Sequence, residues 1–230
     1  MLTKTVIVTG ASGNLGQAVI KEFIDKNYNI IGTVHNKQNE KIYSENNVEE
    51  VEVDLLQEED CQRFVEEIVT KNKVIDVAVL TAGGFAAGDI AKTKSSDIAK
   101  QYQLNFETAY HIAHPLFLQM MTQGSGRIFL IGSRQGLDIL KGKGAIAYGF
   151  SKSLLFRLAE VMNEEAKGKN VVVSVIVPSI IDTPQNREAM PDMDYSAWVS
   201  PSQIADVIYF YSSDDGSVIR NPVINVYNRS

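Results

Sequence analysis

The sequence predicts a doubly wound α/β fold: a mainly parallel, seven-stranded sheet with helices on both faces. Three observations carry this. β-Branched apolar runs alternate with helical patterns from one end of the chain to the other. The first run, Thr5–Thr9, passes through Gly10-Ala11-Ser12-Gly13-Asn14-Leu15-Gly16 into a stretch with Val19, Ile20, Phe23 and Ile24 at helical spacing. The run 74–80 is almost wholly apolar, as expected of a strand covered on both faces.

The remaining elements follow in order. After the first helix, 29–35 reads as the second strand, and the polar stretch 36–47 offers at most a short helix. The third strand, 48–53, ends at Asp54-Leu55. In 58–71, Phe64, Val65, Ile68 and Val69 have the spacing of a buried helix face. The fourth strand ends in the small residues Thr81-Ala82-Gly83-Gly84, and 85–97 reads as a loop holding part of a substrate cavity. A long helix then runs to about Gln123, with a kink expected at Pro115. The fifth strand, 127–131, ends at Gly132-Ser133, and a glycine-rich loop, 134–147, leads to a helix from about Tyr148. The sixth strand, 171–177, ends in the stretch from Pro178 to Pro184. Residues 185–200 read as an irregular, mobile lid. Ser200-Pro201 opens the last helix, with Pro at its first position, and 222–226 is the last strand.

The 230 residues suit one domain spanning 1–230 with a substantial core. A net charge of −6, and no basic run interleaved with aromatics, argue against a nucleic-acid partner. No apolar stretch reaches 18 residues, so no membrane span is expected. The chain enters its first strand without an ordinary signal peptide, and the cytoplasm is the expected compartment. The single cysteine, Cys61, excludes an internal disulfide and reads as a packing residue. His35, His111 and His114 lack metal-ligand spacing, so no metal is expected; His111 and His114 read as flanking an interface helix.

The three glycines of the first turn each meet a separate steric need. Gly10 turns the chain off the strand, Gly13 lets backbone N–H groups approach a pyrophosphate, and Gly16 lets the helix lie close on the strand. The helix start offers free N–H groups and a positive dipole end. Directly after the first strand, this is a dinucleotide-binding turn. Ligands on such sheets bind beyond the carboxyl ends of the strands, where the other unusual clusters also lie.

Tyr148 and Lys152 are four apart at a helix start and share a face. A nearby ammonium is expected to lower the tyrosine pKa, fitting Tyr148 to exchange a proton with an alcohol or alkoxide. Ser133, ending the preceding strand, is placed to hold the same oxygen.

With Thr9-Gly10-x-x-Gly13-x-x-Gly16, Asp54-Leu55, Ala82-Gly83, Asn105, Ser133, Tyr148-x-x-x-Lys152 and Pro178-x-x-x-x-Thr183 in this order, the chain resembles the short-chain dehydrogenase/reductases along nearly its whole length. The resemblance implies a single Rossmann-type domain and an oxidoreductase with Tyr148 as acid/base. Lys152 would lower the Tyr148 pKa and hold the nicotinamide ribose, Ser133 would orient the carbonyl, and Asn105 would support a proton-supplying water chain. Ser12, Asn14, Leu15, Gly84 and Ile181 join the glycine turn and strand ends as cofactor-binding positions. Asp54 and Leu55 would border the adenine, and Thr183 would meet the carboxamide. A homodimer or homotetramer is implied, with 98–122 and the helix after Tyr148 as contacts; Leu155, Phe156 and Leu158 could serve that contact or face the sheet.

The middle glycine is a departure. The commonest pattern of the family has it at the position of Asn14, whereas here it is Gly13. That spacing, with Ala82–Gly88, 147–152, 182–191 and Trp198, resembles the dihydropteridine-reductase-like branch. Strand two ends without an acid, and His35, Asn36 and Lys37 could pair with a 2′-phosphate, so NADP(H) is favoured over NAD(H). Asp182 reads as a cap for the segment after it. Phe85, Arg134 and Gln185 are the substrate candidates; Arg134 could instead lie on the surface, and Trp198 could line a pocket or pack the lid. The leading function is NAD(P)H-dependent reduction of a carbonyl or imine-like carbon in a small molecule. The alternatives are a quinonoid dihydropteridine reductase and a non-catalytic NADP(H)-binding sensor or scaffold.

Overall fold

A computed structural model describes residues 3–35 and 42–229. The strands are β1 (Thr5–Thr9), β2 (Asn29–Val34), β3 (Val48–Glu52), β4 (Val77–Leu80), β5 (Ser125–Ile131), β6 (Asn170–Pro178) and β7 (Val223–Val226). They form one sheet in the order β3-β2-β1-β4-β5-β6-β7, and every pair is parallel. The chain order reverses between β1 and β4, which opens a crevice at their carboxyl ends.

Alternation along the strands makes two cores, one on each face of the sheet. Ile7, Ala78, Leu80, Ile128, Leu130, Val173 and Val175 point to one face. There they meet α2 (Glu58–Asn72), α4 (Thr108–Gln123) and α6 (Ile146–Glu165) through Phe64, Ile68, Ile112, Leu116, Leu155 and Phe156. Val6, Val8, Val77, Val79, Phe129 and Ile176 point to the other. These pack on α1 (Asn14–Asp25) and α8 (Pro201–Ser212) through Val19, Ile20, Phe23, Ile204 and Ile208. Between α2 and α4 come α3 (Ser95–Tyr102) and a π-helical segment, Gln103–Glu107. Two short helices, α5 (Arg134–Leu137) and α7 (Pro184–Ala189), complete the set.

Several expectations change. β4 begins at Val77; just before it, the Asp76 carboxylate accepts from the Thr5 N–H at 2.7 Å. The long helix continues through Pro115, and its departure from α geometry falls at Gln103–Glu107 instead. The loop 134–147 contains α5 and a 3₁₀ turn, Ile139–Gly142, so α6 starts at Ile146. Residues 185–200 are built rather than irregular, with α7 and a 3₁₀ turn at Tyr195–Ala197. Leu155 and Phe156 face the sheet, with Leu158 packed against the same core, whereas Phe150, Leu154 and Val161 stand exposed on α6. Ser200 and Gln203 cap α8 reciprocally, as Ser200-Pro201 suggests.

Candidate active site

The glycine turn sits at the crevice between β1 and β4. Gly10 takes φ +67, and a Cβ on Gly16 would lie 2.2 Å from the Gly10 carbonyl oxygen, so only glycine lets α1 start this close. α1 begins with no side-chain cap on Gly13 and no acid in its first turn. Its first N–H groups therefore stay available to an anion, which fits a dinucleotide pyrophosphate. Thr81 Oγ1 donates to the Thr9 carbonyl at 2.6 Å, holding the ends of β1 and β4 together. Tyr43, which no sequence pattern marked, donates from its hydroxyl to the Ala11 carbonyl at 2.7 Å and braces the turn.

Ser133 lies directly after β5 and caps α5, its hydroxyl accepting from Gly136 N–H at 3.1 Å. Tyr148 and Lys152 come from the first turns of α6. Burial pushes the Tyr148 phenol pKa up, and the nearby Ser133 side chain pulls it part of the way back. The expected lowering by Lys152 is therefore not the dominant effect: the ammonium lies 5.9 Å from the tyrosine ring centre, and desolvation outweighs it. Lys152 is buried, and burial pushes its own pKa down to about 8. Its Nζ donates to the Ile131 carbonyl at 2.8 Å, leaving two donors for a ligand. No carboxylate pairs with it among the described residues. The phenol is thus held in its protonated, donating form.

Asn105 is fully buried within the π-helical segment. Its Oδ1 accepts from Gly84 N–H at 3.0 Å; its Nδ2 lies 3.0 Å from the Gly84 carbonyl and Gln101 Oε1, and 3.2 Å from Ser151 Oγ. Ser151 Oγ donates to the Tyr148 carbonyl at 2.8 Å. Asn105 therefore ties the loop after β4 to the helix carrying Tyr148. A Cβ on Gly83 would stand 2.7 Å from Asn105 Oδ1 and 3.3 Å from Lys152 Nζ, so Gly83 is what lets these groups meet. Nothing in the sequence marks Gln101 and Ser151 as partners of Asn105, since only the π turn brings them together.

Pro178, the last residue of β6, is buried, and beyond it Ile181 pairs with Val199. Thr183, not Asp182, caps α7, accepting from Asn186 N–H at 3.2 Å. Asp182 instead takes a two-pronged bond from Arg187 at 2.6 and 2.7 Å, which holds its carboxyl below the usual range. Gln185, expected at the substrate, reaches the glycine turn: its Oε1 accepts from Asn14 Nδ2 at 2.8 Å. Trp198 is buried, its ring 4.8 Å from Tyr195, so it packs the segment onto the body.

Other positions divide between this edge and elsewhere. Phe85 is exposed and lies edge-on to Tyr148, with ring centres 5.0 Å apart. The Arg134 guanidinium lies over Tyr227, 4.9 Å from its ring centre. Asp54 and Leu55 follow β3, Ala82 follows β4, and Leu15 is buried in the first turn of α1. Ser12 and His35 are exposed, His35 at the end of β2; Asn36 and Lys37 lie outside the described residues. Cys61 is buried, and burial raises its thiol to about 12, in keeping with packing. Among the described residues no His, Cys, Asp or Glu cluster could hold a metal, and no helix is long and apolar enough to cross a membrane.

The family model described as short chain dehydrogenase matches residues 4–194. The chain belongs to the short-chain dehydrogenase/reductase family and is an NAD(P)-dependent oxidoreductase of that class. Among curated proteins it is similar to an acetoacetyl-CoA reductase of Acinetobacter sp., 24% identical over 97% of this chain and 96% of that one. It is also similar to a dihydropteridine reductase of Dictyostelium discoideum, 26% identical over 94% and 90%. The solved structure of ElxO with NADP bound shares the fold, with a TM-score of 0.89, 23% identity and coverage of 98% and 97%.

Proposed function

We propose that this chain is an NADPH-dependent carbonyl reductase in which Tyr148 supplies the proton. The grouping of Tyr148 and a buried Lys152 on the first turns of α6, with Ser133 at the end of the neighbouring strand β5, carries the reading. A carbonyl oxygen placed against both hydroxyls accepts the phenolic proton as its carbon is reduced. Burial favours neutral Tyr148, the form that donates. Ser133 fixes the oxygen, and the spare Lys152 donors hold the ribose. When bound, the nicotinamide dinucleotide supplies the hydride. Gly10 to Gly16 and the open start of α1 would take the pyrophosphate, with Asp54 and Leu55 at the adenine and Thr183 at the carboxamide.

NADP(H) is preferred because the β2 end carries His35 and no acid in His35-Asn36-Lys37, so nothing there repels a 2′-phosphate. The NADP bound in ElxO supports this choice. The unit acts over 1–230 as a homodimer or homotetramer through the exposed faces of α4 and α6, where Leu118, Phe150, Leu154 and Val161 stand open.

The test is NADPH consumption against aldehydes, ketones and quinones, with Tyr148→Phe beside wild type. The expected result is turnover in wild type and a loss of about 10²–10⁴-fold in Tyr148→Phe. Undiminished turnover in the variant would remove Tyr148 from the chemistry, and NADPH binding with no turnover would favour a sensor. A second reading, quinonoid dihydropterin reduction, is favoured by the Dictyostelium relative. It expects activity to survive in Ser133→Ala.

A further inference from the structure

We infer that the carbonyl substrate carries an extended alkyl chain, held by the segments 85–94 and 137–145. This rests on the carbonyl-reductase reading and adds the substrate class. The first segment follows the carboxyl end of β4, the second follows from α5 just beyond β5, and a parallel bridge between Gly88 and Ala145 joins them. Gly88 N–H donates to the Gly144 carbonyl at 2.8 Å, and Ile146 N–H to the Gly88 carbonyl at 3.0 Å. Ile146 opens α6, so the joined loops are fixed to the helix that carries Tyr148.

Large apolar side chains stand out from this platform. Phe85 is 63% exposed, Ile90 78%, Ile139 53% and Leu140 83%, with Leu137 beside them. Single exposed apolar residues are ordinary, but these five lie on two segments that the Gly88–Ala145 bridge joins, and Phe85 among them touches Tyr148. The loops hold them out. Asp138 Oδ1 accepts from Leu140 N–H at 3.0 Å, and Thr93 Oγ1 donates to the Asp89 carbonyl at 2.7 Å, so each loop is internally bonded. Phe85 makes the patch continuous with the site, through its edge contact with Tyr148. A substrate whose oxygen meets Tyr148 and Ser133 therefore has apolar surface waiting for the rest of it. The exposed residues of α4 and α6, such as Leu118 and Val161, belong to different elements and form no part of this patch.

The experiment measures kcat/KM for the linear aldehydes from propanal to decanal with NADPH, in wild type and in Ile90→Ser/Leu140→Ser. Both substituted side chains are mostly exposed, so folding does not depend on them. In wild type, kcat/KM is expected to rise by up to about fourfold per methylene, the equivalent of ~0.8 kcal/mol for each CH₂ buried. In the double variant the rise per methylene is expected to fall toward one. A flat series in wild type, or an equal slope in the variant, overturns the inference and leaves carbonyl reduction standing. A change of oligomeric state in the variant, read by light scattering, overturns it by assigning the patch to a second copy of the chain. No reduction of any carbonyl compound by wild type overturns both readings.

Discussion

Asn14 Nδ2 donates to Gln185 Oε1 at 2.8 Å, joining the first turn of α1 to the first turn of α7 across 171 positions of sequence. Asn14 belongs to the glycine turn proposed to take the pyrophosphate, so this bond ties α7 to that turn. Further ties stiffen the α7 segment: Arg187 to Asp182, Arg187 over the Tyr195 ring at 4.8 Å, and Asn186 Nδ2 to the Ile181 carbonyl at 2.8 Å. One exposed hydrogen bond is worth about 0.5–1.5 kcal/mol, or roughly 2–10-fold in a rate that requires breaking it. NADPH is expected to dissociate faster by that factor from Asn14→Ala and from Gln185→Ala, and no faster again from the double variant. Stopped-flow displacement of NADPH measures all three. Additive effects would show that the two side chains act separately.

Asn105 spends its amide on Gly84, Gln101 and Ser151 and has no exposed surface. Asn105→Ala leaves the Gly84 N–H and carbonyl without their partner. The expected cost is about 2–4 kcal/mol in urea unfolding, from two or more buried polar groups left unpaired. Asn105→Asp keeps the acceptor for Gly84 N–H but loses every donation. It is expected to retain part of the stability while setting a carboxylate against the Gly84 carbonyl. If both variants unfold with wild type, Asn105 does not bind the loop to α6.

The fold was legible because its signals are local and repeated. Period-two alternation through Val6, Ile7 and Val8 assigns the two faces of the sheet without any tertiary knowledge. Tyr148 and Lys152 were legible for the same reason, since a four-residue spacing fixes a shared helix face. Contacts between distant segments were not. Gln185 reads as substrate-facing, and only the placement of α7 turns it toward Asn14. α7 itself spans six residues, too few to show a helical period, so 185–200 reads as irregular. The π turn at Asn105 has no residue signature, and the visible breaker, Pro115, drew the expected kink away from it. The spacing of Tyr148 and Lys152 reveals a neighbouring charge but not the burial that raises the phenol pKa.

Gly16 shows the steric demand of the first turn most directly. A methyl group there would lie 2.2 Å from the Gly10 carbonyl oxygen, 3.0 Å from its carbon and 3.2 Å from the Ala11 Cα. All three are backbone atoms, so no side chain can swing away, and α1 must move off β1. Gly16→Ala is expected to lose about 1–3 kcal/mol in urea unfolding. It is also expected to weaken NADPH binding at least tenfold, measured by quenching of protein fluorescence. Wild-type affinity would mean that the start of α1 does not hold the pyrophosphate.

Lys152 makes stability depend on pH in a direction that can be worked out. Its pKa is lowered from 10.5 to about 8 by burial, so folding disfavours the ammonium. Below about pH 8 both folded and unfolded chains carry the charge, and the full penalty is present. Between about pH 8 and 10.5 the unfolded chain still binds the proton that the folded one has released, so this group adds stability as pH rises. The shift of about 2.5 units corresponds to ~3 kcal/mol. Tyr28, Tyr43, Cys61 and Tyr148, whose pKa values are raised by burial, lose stability as pH rises through the alkaline range, in wild type and variant alike. They cancel when wild type is compared with Lys152→Met. Urea midpoints of the two proteins, measured from about pH 7 to 10.5, should therefore converge or cross, with the variant favoured most at the acidic end. A constant difference across that range would mean that Lys152 keeps an ordinary pKa, held by a compensating partner in solution.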